Sequence, residues 1–256
     1  MPRARSRSAL SRLCGLAVAA ALGLTGAGAP TVAAAPARAT VHPGDAAATT
    51  CPRPKVMRRR EVVYGQDPVN KLVAITFDDG PHPTWTPRVL DVLRRYHVKA
   101  TFFVLGVNAE RYPALVARIR REGHTVANHT WNHKAVTTLS PAALRNDVLR
   151  TSASIKRHSG QKVMCWFRPP SARHDRASDA RVMALGPSVV LWSIDTGDWR
   201  RPGSAVIRAR AARARSGDIV LLHDGGGNRG QTVAALPGIL RGFKQRGIRL
   251  VGVNGR

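Results

Sequence analysis

Three features that would mark common classes of protein are missing from this 256-residue sequence. No glycine-rich dinucleotide-binding fingerprint follows the first predicted strand, which argues against a nucleotide-binding doubly wound sheet. No stretch alternates basic with aromatic residues, and no known nucleic-acid-binding motif is evident, so we expect no binding of nucleic acid. The apolar stretch at residues 13–24 is shorter than the roughly 20 residues that a membrane-spanning helix needs.

Acidic residues are scarce, at 15 against 41 Lys and Arg, and the formal net charge at pH 7 is +26. Residues 1–39 contain five Arg and no acid, so the remainder still carries +21. Such a charge favours anionic partners, either nucleic acid or an anionic cell wall, and export would favour the wall. The alternative is that scattered arginines only keep an exported protein soluble.

Residues 1–39 have the three parts of a secretory signal peptide: a basic start, the apolar stretch, and the small-residue cleavage site Ala37-Arg38-Ala39. We expect a secreted protein without a membrane span after cleavage, the alternative being a retained anchor. Residues 40–69 lack sustained periodicity and are expected to be an N-terminal arm or linker. In an oxidising compartment Cys51 and Cys165 are expected to form a disulfide, the alternative being separate burial.

Residues 70–256 are expected to form one domain, because short apolar runs alternate there with helical patterns. The runs are residues 72–77, 100–105, 124–128, 164–168, 188–193, 218–223 and 248–253. Ser140-Pro141 is typical of a helix start, and Gly123 and Gly247 are typical of helix ends. Alternating strands and helices predict a parallel sheet with right-handed crossovers. Seven repeats favour an α/β barrel or near-barrel, with an open doubly wound sheet as the alternative.

Two adjacent carboxylates, Asp78 and Asp79, end the first run, directly before Gly80-Pro81. An ionised carboxylate at the end of a buried strand needs a charge partner, and a metal ion could supply one. Neighbouring strand residues point to opposite faces, so one Asp could bind a cation while the other acts as a base. The alternative is an ordinary Asp-Gly-Pro turn.

Polar residues also end the later runs. They are Asn128 and His129, Arg168, Asp195, and His223 with Asp224. The carboxyl ends of parallel strands open onto one face, where active sites form. We therefore expect these side chains to surround one site.

His129 and His133 are four residues apart, which on a helical turn would place both imidazoles on one side. With one carboxylate they would form a His-His-Asp set that leaves positions open for water and substrate, as in catalytic sites. Imidazole ligands favour Zn²⁺, although Co²⁺ or another divalent ion would also fit. His223 could be a fourth ligand or a general acid.

Five motifs, in order, resemble those of the polysaccharide deacetylases, the NodB-homology family of carbohydrate esterases known as family four. They are Thr76-Phe77-Asp78-Asp79-Gly80-Pro81, His129-Thr130-Trp131-Asn132-His133, Arg168-Pro169-Pro170, Asp195-Thr196-Gly197-Asp198-Trp199 and Leu221-Leu222-His223. The resemblance spans roughly residues 70–253. It implies a distorted (β/α) barrel of about seven parallel strands, a divalent metal that is usually zinc, and hydrolysis of acetyl groups. The implied substrates are N-acetylglucosamine polymers, such as chitin or peptidoglycan, or O-acetylated xylan.

The resemblance also implies a role for each motif residue. Asp78 would be the general base, oriented by Arg168; Asp79, His129 and His133 would bind the metal; His223 would be the general acid, tuned by Asp195 or Asp198; and Trp199 and Leu221 would wall the pocket for the acetyl methyl group.

One position departs from the family pattern. The family usually continues Arg-Pro-Pro with Tyr-Gly, whereas this chain has Ser171-Ala172. The resemblance implies that the backbone N–H at the first position binds the oxyanion, and Ser171 retains it. Glycine adopts a positive φ easily, whereas alanine does so only at an energetic cost. The departure therefore puts the local turn and the shape of the substrate groove in doubt.

Three functions are compatible with these patterns. The first is a secreted deacetylase acting on N-acetylglucosamine-containing glycans, and the second is an O-acetyl (xylan) esterase on the same scaffold. The third is a non-catalytic, basic protein that binds the cell wall. Every expected base, acid and metal position is filled, which argues against the third.

Overall fold

The computed structural model describes residue 51, the backbone of residues 58–59 and 62–63, and residues 71–254. The expected signal peptide, at residues 1–39, and most of the expected arm, at residues 40–69, lie outside the described residues. Within the arm, strands β1 (Arg58–Arg59) and β2 (Val62–Val63) pair in antiparallel fashion. The expected disulfide joins Cys51 to Cys165.

Eight parallel strands form the main sheet of the described residues. They are β3 (Leu72–Asp78), β4 (Thr101–Val104), β5 (Thr125–Asn128), β6 (Trp166–Phe167), β7 (Ser188–Val189), β8 (Ile194–Asp195), β9 (Ile219–His223) and β10 (Arg249–Val251). Seven of them follow the order β7-β6-β5-β4-β3-β9-β8, while β10 pairs only with the beginning of β3. Parallel pairing places all their carboxyl ends on one face.

The sheet is curled into a distorted barrel. Strands β7 and β8 are at opposite ends of the seven-strand path, yet only residues 190–193 join them. A flat path of seven strands would be about 29 Å wide, whereas this connection reaches about 17 Å at most. The two edges must therefore lie close together, as the family resemblance implied. The single strand predicted at residues 188–193 is wrong, because this run supplies β7 at one edge and then crosses to β8 at the other.

Seven α-helices surround the described sheet. They are α1 (Trp85–Arg95), α2 (Gly106–Arg111), α3 (Pro113–Arg121), α4 (Pro141–Ser159), α5 (Arg176–Met183), α6 (Ser204–Ala211) and α7 (Gly230–Gln245). The expected start of α4 is confirmed, since the Ser140 side chain accepts the Ala143 N–H and Pro141 is in the first turn. Gly123 and Gly247 follow α3 and α7 with φ of 84° and 68°, which confirms the expected helix ends.

The main core lies between the sheet and the helices packed against it. Ile75 and Phe77 on β3 are completely buried in one cluster with Val89 and Leu93 of α1 and Phe243 of α7. Burying each such side chain contributes roughly 1.5–3 kcal/mol, so the longest strand is held firmly in place. In the described residues no helix is both long and apolar enough to span a bilayer.

Candidate active site

Asp78 and Arg168 form a buried ion pair inside the barrel. Arg168 Nη1 donates to Asp78 Oδ1 at 2.7 Å and to Thr76 Oγ1 at 2.9 Å. Its other nitrogens donate to the carbonyl oxygens of Val190 and Leu191, in the connection between β7 and β8. The guanidinium is inaccessible to solvent, and each of its three nitrogens donates at least one hydrogen bond. The Asp78 carboxylate therefore has a fixed orientation.

Asp79, His129 and His133 bring three potential metal ligands together. One ligand atom from each lies within 4.8 Å of the others. Asp79 Oδ1 is 3.5 Å from His129 Nε2 and 3.4 Å from His133 Nε2, and it is buried without a hydrogen-bond partner. A buried carboxylate oxygen facing two imidazole nitrogens fits a divalent cation, because the ion would satisfy all three.

Asp79 reaches this cluster because the backbone turns sharply after β3. Its φ of 71° is left-handed, so the alternation of side chains along a strand ends at Asp78. Both carboxylates consequently approach the same ring, with Asp78 Oδ2 3.7 Å from His129 Nε2. The α2 residue Asn108 holds the turn, because its Nδ2 donates to the Asp79 carbonyl oxygen at 2.9 Å.

The two histidines lie on a loop rather than on the helical turn from which their spacing was interpreted, so that expectation was wrong. Thr130 and His133 have left-handed φ values of 71° and 63°, which no helix contains. The loop is fixed by other elements: Gly106 N–H of α2 donates to the Thr130 carbonyl oxygen, and Trp131 N–H donates to Asp147 Oδ1 of α4, both at 2.9 Å. The rings still meet, with centroids 5.2 Å apart.

A backbone contact sets the tautomer of His129. Its Nδ1 lies 2.7 Å from the carbonyl oxygen of Arg168. A carbonyl oxygen only accepts, so Nδ1 carries the proton and Nε2 presents its lone pair to Asp79. Burial lowers the pKa of His129 to about 3, which keeps the ring neutral as metal binding requires.

His223 pairs with Asp198 on the same face of the barrel. Asp198 is 1% exposed, and its Oδ1 lies 2.7 Å from His223 Nδ1. Asp198 Oδ2 accepts the His223 N–H at 2.9 Å and the Thr232 hydroxyl at 2.7 Å. His223 is the register partner of Asp78 on the neighbouring strand, so the two side chains emerge side by side.

The surroundings shift the pKa values of this pair and of Asp78. Burial lowers the pKa of His223, but the hydrogen bond and charge of Asp198 outweigh burial and raise it above its ordinary value. Burial raises the pKa of Asp78, although the charges of Arg168 and His223 oppose the shift. The expected base and the expected acid thus both have raised pKa values.

Four further residues of the expected site lie at different depths. Asp195 is exposed, and its Oδ1 accepts the Gly197 N–H rather than contacting His223. Trp199 is 47% exposed, whereas Leu221 is buried two residues before His223 on β9. Ser171 is exposed and has a left-handed φ of 54°. The structure thus brings Asp198, but not Asp195, to the predicted acid.

Sequence reasoning gave no role to Asn108, Asp147 and Thr232, which orient the residues described above. It placed Asp224, which follows His223, among the polar residues around the site but assigned it no chemical role. The Asp224 carboxylate is completely buried and accepts the hydroxyl hydrogen of Thr86, and burial raises its pKa to about 7. A Cβ at Gly80 would collide with this carboxylate, so only glycine fits between Asp79 and Pro81. Its position directly after a motif histidine was the available signal.

Comparison with known proteins identifies this arrangement. Residues 65–190 match the family model for polysaccharide deacetylase. The chain is 44% identical over 187 residues to a peptidoglycan-N-acetylglucosamine deacetylase of Bacillus cereus. The aligned region covers 72% of this chain and 87% of the relative. The chain belongs to the polysaccharide deacetylase family.

Other members of the polysaccharide deacetylase family support the same assignment. A chitooligosaccharide deacetylase of Bradyrhizobium is 37% identical over 199 residues, covering 73% of this chain and 91% of the relative. The crystal structure of the Bc1960 peptidoglycan N-acetylglucosamine deacetylase superposes with a TM-score of 0.73 at 32% identity, covering 75% of this chain and 90% of that one. The expected family and enzyme class, a polysaccharide deacetylase, are therefore confirmed.

Proposed function

We propose that this polysaccharide deacetylase is a metal-dependent hydrolase that removes N-acetyl groups from N-acetylglucosamine-containing glycans. The observation that carries the proposal is that the Asp79, His129 and His133 cluster shares one face with the Asp78–Arg168 and His223–Asp198 pairs. Acyl hydrolysis needs a base and an acid on either side of the reacting carbon, and this face supplies both beside a cation site.

Asp79, His129 and His133 would hold the divalent ion, which we propose is Zn²⁺. Bound there, it would supply Lewis acidity toward water and the acetyl carbonyl. Asp78, held by Arg168, accepts the proton of the attacking water. His223 Nε2 then donates a proton to the departing amine, while Nδ1 stays hydrogen-bonded to Asp198. The amine is a poor leaving group until it is protonated, so the acid is essential.

The backbone N–H of Ser171 would donate to the oxyanion that forms at the acetyl carbon, and Trp199 and Leu221 would wall the pocket for its methyl group. A fixed backbone donor stabilises developing negative charge more strongly than water does. We also propose that residues 1–39 direct secretion and that the basic chain associates with an anionic cell wall. The excess of 41 basic over 15 acidic residues supports the last point.

Acetate release tests the reaction and its substrate. The mature chain is stripped of metal, reloaded with Zn²⁺ or Co²⁺, and incubated with N-acetylglucosamine oligomers, peptidoglycan or acetylated xylan. We expect metal-restored release from one of the N-acetylated glycans. Release from xylan alone would favour the O-acetyl esterase, and no release by metal-loaded protein would favour a protein that only binds walls.

Two variants separate the base from the metal ligands. Asp78→Asn should keep metal but lose turnover by about 10²–10⁴-fold, because the amide still accepts a hydrogen bond from Arg168 but cannot take a proton. His133→Ala should lose both metal and turnover. Metal content of the purified variants is the measurement, and equal metal loss in both would reverse the roles given to Asp78 and Asp79.

A further inference from the structure

A short exposed segment follows directly after the residue that orients the proposed acid. A 3₁₀ turn spans Asp198–Arg200, with left-handed backbone on both sides: Gly197 has φ of 62° and Arg201 has φ of 56°. The side chain of Asp198 points inward to His223, whereas Trp199 and Arg200 are exposed. This geometry places an exposed indole and guanidinium directly beside the pair that contains the proposed acid.

Trp199 has the surface expected of a sugar-stacking residue. It is 47% exposed, more than any other large hydrophobic side chain among the described residues. The Arg200 guanidinium lies over its ring, 4.5 Å from the centroid. This cation–π contact orders a long side chain that would otherwise move freely in water.

The charges of Arg200 and Arg201 are uncompensated in the part of the chain that the structure describes. Arg118 and Arg157 are among the few arginines there that form ion pairs with carboxylates, at 2.6–3.0 Å. Neither Arg200 nor Arg201 forms such a pair there. Asp198 is committed to His223 and Thr232, and Asp195 accepts a backbone N–H of its own loop. Two guanidiniums beside an exposed indole match a sugar that carries a carboxylate.

We propose that Trp199, Arg200 and Arg201 form a subsite for a carboxylate-bearing residue next to the N-acetylglucosamine that is deacetylated. The proposal rests on the proposed function and narrows its substrate to anionic glycans such as peptidoglycan, in preference to neutral chitin. In peptidoglycan the carboxylate belongs either to the lactyl ether of the neighbouring sugar or to the stem peptide.

The test compares three glycans with the Zn²⁺-loaded enzyme. They are a neutral N-acetylglucosamine oligomer, peptidoglycan strands freed of peptides so that the lactyl carboxylate remains, and strands with intact peptides. We expect Arg200→Gln/Arg201→Gln to lower kcat/KM about tenfold on carboxylate-bearing strands, as for the loss of two exposed ionic contacts, and less than about twofold on the neutral oligomer. The anionic preference of the unmodified enzyme should also weaken as salt is raised.

Arg120→Gln/Arg121→Gln is the matched control. Both residues are exposed at the end of α3, which leads into the start of β5 and so lies at the opposite end of the barrel. This variant removes the same charge and should leave all three rates unchanged. If the unmodified enzyme prefers the peptide-free strands to the neutral oligomer, the bound carboxylate is the lactyl one. If it prefers only the strands with intact peptides, the bound carboxylate belongs to the stem peptide.

Equal losses on neutral and anionic glycans, an unchanged anionic rate, or the same loss in the control would each overturn the subsite. Activity on the neutral oligomer would in those cases leave the proposed function standing. Absence of acetate release from all three glycans by metal-loaded enzyme would instead contradict the proposed function itself.

Discussion

His124 and His129 stand at opposite ends of strand β5, and both are buried, with exposures of 1% and 2%. Burial lowers the pKa of both, to about 4 for His124 and about 3 for His129. Their hydrogen bonds differ in direction. His124 Nδ1 accepts the Ala100 N–H, so the proton is on Nε2, whereas His129 Nδ1 donates to Arg168 and leaves Nε2 free.

The comparison shows that position in the barrel, rather than residue type or burial, decides what a histidine does here. At the amino end of β5 the ring packs edge-on against Phe102 and joins two strands. At the carboxyl end the free nitrogen faces Asp79, in the cluster that fits a metal. The opposite tautomers therefore separate a structural histidine from a proposed ligand.

The largest difference in metal content and turnover is expected between the variants His129→Asn and His124→Asn. The shorter amide of His129→Asn cannot reach a cation held by Asp79 and His133, so metal should be lost and turnover should fall by about 10³-fold or more. His124→Asn should keep full metal content and activity. Metal analysis and acetate release measure both, and equal activity loss in the two variants would contradict the division between the two ends.

At the carboxyl end, Asp198→Asn should move the alkaline limb of the pH–rate profile. The hydrogen bond and charge of Asp198 raise the pKa of His223, so their loss lowers that pKa and removes the acid's proton at lower pH. The limb should therefore move to lower pH, and the rate on the alkaline side should fall. Asp195→Asn, at an exposed carboxylate that accepts the Gly197 N–H, should leave the limb in place; a shift in that variant alone would reverse the assignment.

At the amino end, His124 should control acid stability. Its folded pKa, about 4, lies below the unfolded value near 6.5, so its stabilising contribution is complete above pH 6.5 and is lost as pH falls toward 4. The loss amounts to about 3 kcal/mol. His124→Asn keeps an acceptor for Ala100 but cannot titrate, so its free energy of unfolding should fall less between pH 7 and pH 4.

Urea unfolding at several pH values measures this difference. His97→Asn is the matched control, because His97 is exposed and has a left-handed φ of 55° that asparagine also adopts. Its pH dependence should follow that of the unmodified protein. Parallel curves for His124→Asn and the unmodified protein would contradict the structural role of His124.

The smallest expected effect concerns Ala172, which has φ of 51° directly after Ser171 at 54°. Ala172→Gly relieves a left-handed alanine while adding freedom to the unfolded chain, so we expect a net stabilisation of about 0.5–1 kcal/mol. Ala177→Gly, in the helical backbone of α5, should instead destabilise by up to about 1 kcal/mol. Destabilisation by both variants would show that the φ of Ala172 is not strained.

The parallel barrel and the face that carries the site were predictable, because strand ends and polar residues coincide at Asp78, His129 and His223. The tertiary contacts were not. The run at 188–193 gave no sign that the chain would cross between sheet edges. The choice of Asp198 over Asp195 depends on a 3₁₀ turn and on Thr232, 34 residues away along the chain. The loop conformation of His129 and His133 depends on α2 and on Asp147 of α4, which no local pattern reveals.

Because of Arg168, some mutations that abolish activity also destabilise the protein more than others. Its buried guanidinium bonds the Asp78 carboxylate and also two carbonyls where the sheet edges approach. Removing the Asp78 charge strands a buried cation, and breaking such a pair destabilises proteins by roughly 3–5 kcal/mol. His133, with 40% of its side chain exposed, carries no comparable penalty. An inactive descendant of this enzyme is therefore expected to have mutated at His133 first, with Asp78 among the last residues to change.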